Sequence, residues 1–330
     1  MRANISRTKA PLPPSDGRLV GVVTMGFGCF PSGGRHSLPP GTFVAVGSSM
    51  LSLSSTVEAA AAVARARCVT AYAYTLRPGR VERALETAAR SGARVVVRLE
   101  AHPFGGARRL ARNNLRIVER LRAAGADAAL EAHVHVKALE AGGALFLDGR
   151  NWGDGDFVVR DDDRSDLAAT KHEALAKEAA LLRAASHGDR VLVESESFGS
   201  GNPVYRALDE LARRGDAPRL MVGARVLATS RRERALLEHL RHDGVDVRVC
   251  ADSEKFAVTG REAWAGSANA TFDRGAADMW DWGARTTRAG IVRTIRARLE
   301  SRWKTAGPLR APKASKGASD RAPQLALVSL

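Results

Sequence analysis

One imidazole, two ammonium groups and two carboxamides recur along this chain at fixed spacing, a set suited to binding and attacking an oxyanion. The first run carries His135, Lys137, Gly142 and Asn151; the second starts at Ser253 and carries Lys255, Gly260 and Asn269 at the same offsets, with no gap. Lys137 and Lys255 would hold negative charge, and Asn151 and Asn269 would add neutral donors. Residues two apart on a strand share a face, so His135 and Lys137 would point together. A neutral imidazole so placed can serve as a nucleophile. The repeat implies a duplicated unit that joins two half-sites. They differ at one position: Ser253 stands where the first copy has His135.

The pattern resembles the phospholipase D superfamily, whose signature is HxKxxxxD followed by GSxN, usually present twice. His135, Lys137 and Asn151 match the first copy; Lys255, Gly266, Ser267 and Asn269 match the second. The aspartate is absent from both copies, where Ala141-Gly142 and Thr259-Gly260 stand, and the first GS is Asp148-Gly149. The tyrosyl-DNA phosphodiesterase branch also works without those aspartates. The resemblance implies a metal-independent, cofactor-free phosphodiesterase. In it His135 attacks phosphorus to give a phosphohistidine, which water resolves. Lys137 and Lys255 hold the charge, and Asn151, Asn269, Ser267 and Ser253 surround the phosphate.

The resemblance also gives the second histidine the role of acid for the leaving group. Ser253 cannot take that role, because a hydroxyl does not titrate near neutrality. Glu194, Glu196 and Glu254 are the candidate acids, with Asp252 and His172 behind them. Glu194 and Glu196 share a face of one predicted strand, whereas Glu254 should face away from Ser253. A catalytically weak or inactive protein that binds phosphate-containing ligands is the alternative. His133 reads as a surface or supporting residue, His172 as a helix-surface residue, and Trp280 and Trp282 as packing.

The elements that must position these groups repeat as well. Val69–Tyr74, Val81–Leu85 and Gly92–Arg98 read as strand, helix, strand; Val191–Glu196, Val204–Leu208 and Arg219–Val222 are their counterparts. A second helix opens in each half at Gly106 and Gly223 and ends at a capping glycine, Gly125 or Gly244. Strands at 128–136 and 245–251 then run into the motifs. The fold class is α/β, with βαβ units and helices covering mixed sheets. The resemblance implies two phospholipase D-like repeats packed edge to edge as a pseudo-dimer within a monomer. Expected boundaries are a mobile arm at 1–43, a first repeat at 44–188, a second at 189–305 and a disordered basic tail at 306–330.

The chain has 330 residues and a formal net charge of +15. That length can bury a full core, and the charge surplus favours an anionic partner, nucleic acid more than phospholipid. Aromatic residues make up 5% of the chain, too few for an extended base-stacking surface. Cys29, Cys68 and Cys250 have no metal-binding spacing, and Cys68 and Cys250 read as buried thiols. No run reaches the roughly 20 apolar residues of a membrane span. Residues 19–29 are a short, glycine-broken apolar segment, so a cytoplasmic location is expected over export.

Overall fold

The computed structural model describes residues 51–309 apart from 105–106, 155–156, 162–167, 229, 252–253 and 272–278. The expected arm at 1–43, Cys29, Asp252 and Ser253 lie outside the described residues.

The first unit runs β1 (Leu51–Ser55), α1 (Thr56–Arg65), β2 (Cys68–Ala73), α2 (Arg80–Arg90), β3 (Arg94–Glu100), α3 (Arg108–Ala123) and β4 (Asp127–Glu131), then β5 (Lys137–Ala141), β6 (Ala144–Asp148) and β7 (Phe157–Asp161). They form a seven-stranded mixed sheet in the order β1-β7-β6-β5-β2-β3-β4. The β2, β3 and β4 strands are parallel, because a helix returns the chain across the sheet between each pair; the hairpin strands are antiparallel.

The second unit runs β8 (Ala168–Thr170), α4 (Lys171–Arg183), β9 (Leu192–Ser195), α5 (Pro203–Arg213), β10 (Arg219–Gly223), α6 (Ala224–Leu227), α7 (Arg231–His242) and β11 (Asp246–Cys250). It continues with β12 (Phe256–Val258), β13 (Ala263–Gly266), β14 (Trp280–Thr286), α8 (Ala289–Thr305) and β15 (Gly307–Pro308). Its eight-stranded sheet, β15-β11-β10-β9-β12-β13-β14-β8, repeats the first strand for strand once β15 is set aside. The duplication extends to the caps. Ser55 and Thr170 each end an edge strand, and their side chains accept from the third-residue N–H of α1 and α4.

Several sequence expectations change here. β8 pairs with β14 and α4 packs on α5, so the split drawn at 188 falls inside the second unit, which starts by Ala168. Residues 306–309, drawn as the start of the basic tail, belong to the second unit: β15 pairs with β11, and Ala306 and Leu309 are buried. The predicted strand at 128–136 ends at Glu131, because His133 turns through a positive φ of 69°. The helix expected at Gly223 is broken into the single turn of α6 and then α7, which Ser230 caps. Cys250 is a buried thiol, whereas Cys68 is disulfide-bonded. Gly142 and Gly143, both with positive φ, form the two-residue turn of the β5–β6 hairpin.

Side-chain alternation gives each sheet two apolar faces. On β6, Ala144 and Phe146 join a core with α1, α2 and α3, while Leu145 and Leu147 face the other unit. There they meet Phe256, Val258, Ala265 and Trp282 of the second sheet and Ile291, Ile295 and Leu299 of α8. The units therefore share a core between their inner faces, rather than the edge-to-edge contact the resemblance implied.

Candidate functional site

The seam is tight where the two Asn-bearing segments meet. A Cβ on Gly149 would come within 3.1 Å of the Gly266 carbonyl oxygen, so a side chain there would force the segments apart. Trp282 donates its indole N–H to the Asp148 carbonyl at 2.9 Å, from the second unit to the first. The start of β14 also binds the first motif through its backbone: Trp280 N–H donates to His133 O at 2.8 Å, and His135 N–H donates to Trp280 O at 3.1 Å.

This docking carries Asp281 onto His135. The buried Asp281 carboxylate lies 2.7 Å from His135 Nδ1 and accepts the Ser267 hydroxyl at 2.6 Å. Ser267 also accepts the Trp282 N–H at 3.0 Å, so its hydroxyl positions the aspartate. Burial pushes the His135 pKa down to about 4, which keeps the ring neutral at pH 7 although Asp281 opposes the shift. Burial works against the Asp281 charge, yet His135 and Lys137 beside it hold its carboxyl below the ordinary range. A neutral ring that donates Nδ1–H to Asp281 has its lone pair on Nε2. Lys137 Nζ lies 3.4 Å from that Nε2. Burial also lowers the Lys137 pKa to about 7.

His135, Lys137, Asn151, Glu196 and Lys255 line one cavity of about 450 Å³, with Tyr74, Arg77, Arg150 and Arg225. It opens at the carboxyl ends of β2, β9, β10 and β11, where Tyr74, Glu196 and Ala251 follow β2, β9 and β11 and Gly223 ends β10. The Tyr74 ring meets His135 edge-on at 5.2 Å between centroids, and Lys137 Nζ lies 5.6 Å from the Tyr74 ring centre. The Asn151 side-chain oxygen is buried with no hydrogen-bond partner, as is that of Asn269, which is not among the residues that line the cavity. Among the described lining residues Glu196 is the one carboxylate. It pairs with Lys255 at 3.1 Å, and the Lys255 charge pulls its pKa down to about 2.

The other candidate acids are engaged elsewhere. Glu194 is fully buried, accepts from the Arg302 guanidinium at 2.7 Å and receives the Glu254 N–H at 2.8 Å. Glu254 is held by Arg298. His172 is exposed on α4, and His133 is exposed at its turn. The missing motif aspartates would have stood at the hairpin turns, and Gly142 lines a separate pocket with Cys68 and Glu140. Asp281 and Tyr74 were missed in the sequence. The available signal was an acid between two tryptophans, which buried flanks would carry into the core.

No family model matches the sequence, and no curated protein matches it. Solved structures do resemble the fold. Phosphatidylserine synthase from Haemophilus influenzae gives a TM-score of 0.55 at 9% identity, over 77% of this chain and 86% of that one. Polyphosphate kinase from Porphyromonas gingivalis gives 0.51 at 16% identity, over 79% of this chain and 50% of that one. The chain thus spans half the length of that kinase. A phospholipase D family member from Salmonella typhimurium gives 0.37 at 15% identity, over 44% of this chain and 98% of that one. The first two carry the likeness of fold.

Proposed function

We propose that this chain, whose fold is phospholipase D-like, is a phosphodiesterase that uses His135 as its nucleophile. The observation that carries the reading is the His135–Asp281 pair, which leaves Nε2 unprotonated beside Lys137 in a cationic cavity. A phosphodiester oxygen would be held between Lys137 and Lys255, with Asn151 and Asn269 donating through their amides. Nε2 attacks phosphorus, the bond to the leaving oxygen breaks, and water later displaces the phosphohistidine. Asp281 stabilises the positive charge that develops on the ring.

Protonation of the leaving oxygen is the weak step. Among the described candidate carboxylates Glu196 alone lines the cavity, and Lys255 keeps it ionised until phosphate competes for that lysine. This favours a slow enzyme, or at the limit a phosphate-binding protein with no turnover. The basic lining supports nucleic acid over phospholipid.

The test is cleavage of a nitrophenyl phosphodiester with acid trapping of phosphohistidine. An activated leaving group should be released far faster than a natural alcohol, since general acid catalysis contributes roughly 10²–10⁴-fold. His135→Ala should abolish both turnover and the acid-labile adduct. Turnover that survives His135→Ala refutes the mechanism.

A further inference from the structure

The cavity holds more cationic charge than one phosphodiester uses. Lys137, Lys255, Arg77, Arg150 and Arg225 line it, against one carboxylate among the described residues, Glu196, which Lys255 already pairs. A phosphodiester carries one negative charge, and the two lysines with Asn151 suffice to hold it. Arg77 and Arg225 remain to be explained.

Their positions are informative. Arg77 follows β2 in the first unit, and its backbone N–H donates to the Asn151 carbonyl at 3.1 Å, which ties that loop to the Asn-bearing segment. Arg225 sits on α6, after β10 of the second unit. The two thus come to the cavity of the lysines from opposite units. Both are exposed, and among the described residues neither is paired with a carboxylate. A solvated surface would also leave arginines unpaired, but these two line the same walls as the buried lysines. The volume of about 450 Å³ falls in the range of pockets that enclose whole small molecules, roughly 300–1,000 Å³. A guanidinium presents a planar fork that matches two phosphate oxygens, which makes arginine better suited than lysine to fix a second phosphate in register.

We infer that Arg77 and Arg225 form a subsite for a second phosphate next to the one held by the lysines. The substrate class is therefore a chain of phosphates, either an oligonucleotide or an inorganic polyphosphate. A zwitterionic phosphodiester would bring an ammonium group against these guanidiniums and is disfavoured. This rests on the phosphate-binding reading of the lysine pair, and the experiment separates the two.

Affinities of orthophosphate, pyrophosphate, tripolyphosphate, a thymidine tetranucleotide and glycerophosphocholine are measured on the full chain at fixed ionic strength. Pyrophosphate should bind at least about tenfold more tightly than orthophosphate, as expected for added charge-assisted contacts. In the Arg77→Ala/Arg225→Ala double variant that ratio should fall towards one. Both side chains are exposed, so the fold should tolerate the change. A Lys137→Met/Lys255→Met variant should weaken both ligands together. If orthophosphate fails to bind, or binds regardless of the lysines, the underlying reading fails. If orthophosphate binds through the lysines but the ratio is already near one, or persists without the arginines, the subsite is refuted. Glycerophosphocholine binding as tightly as the tetranucleotide also refutes it. Tripolyphosphate and the tetranucleotide distinguish the two sources: the tighter ligand that loses more in the double variant is the class the subsite reads.

Discussion

Lys137 gives the cavity a pH dependence that a surface lysine would not have. Its side chain is buried beside His135 and near Lys255, and burial brings its pKa from the ordinary 10.5 to about 7. Raising the pH through that value removes one of the two lysine charges from the empty cavity. The charged fraction of a single-proton group falls tenfold per unit above its pKa. Affinity for sulfate, which does not titrate in this range, should therefore fall above about pH 7, by at most about tenfold per unit, towards the level the remaining cations sustain. Two neighbouring cavity groups do not titrate there: His135 is neutral above about 4, and Glu196 is ionised above about 2. Calorimetric titration of sulfate at constant ionic strength, from pH 5.5 to 9, reads the slope. Lys137→Arg keeps its charge throughout, so its affinity should be flat over the same range. A wild-type affinity that stays constant to pH 9, or a slope unchanged in Lys137→Arg, refutes the assignment.

Asp281→Asn should reduce phosphodiester turnover by up to about 10⁴-fold, the scale on which a buried aspartate–histidine pair acts in hydrolysis. Sulfate affinity should change far less, and equal losses in both would mean Asp281 only supports the cavity's shape. Glu178, on α4, is buried, and burial raises its pKa from 4.5 to about 8. The folded chain then binds more protons than the unfolded one between those values, so its contribution falls as pH rises through that window. At pH 7 the cost is about 3 kcal/mol. Glu178→Gln should gain about that much in urea unfolding at pH 7 and nothing at pH 4; equal stabilities at pH 7 would overturn it.

The duplication, the α/β class and the residues of the lysine pair were legible in the sequence, because they depend on local spacing. Strand and helix periods are set within a few residues, and Gly125 and Gly244 end α3 and α7 as their positive φ requires. Matched offsets likewise picked out His135, Lys137, Lys255, Asn151 and Asn269 without knowledge of their neighbours. Partnership was decided only by the tertiary structure. Asp281 reaches His135 across 146 positions, since the start of β14 binds the turn before β5. Glu194 and Glu196 read alike as strand carboxylates, but α8 brings Arg302 onto the first, and the open end of β9 leaves the second beside Lys255. The extent of each unit was hidden for the same reason: β8 is three residues long and becomes part of the second sheet only by pairing with β14. Hydrogen bonds and ion pairs between distant segments depend on how whole sheets dock, and no short window of sequence encodes that docking.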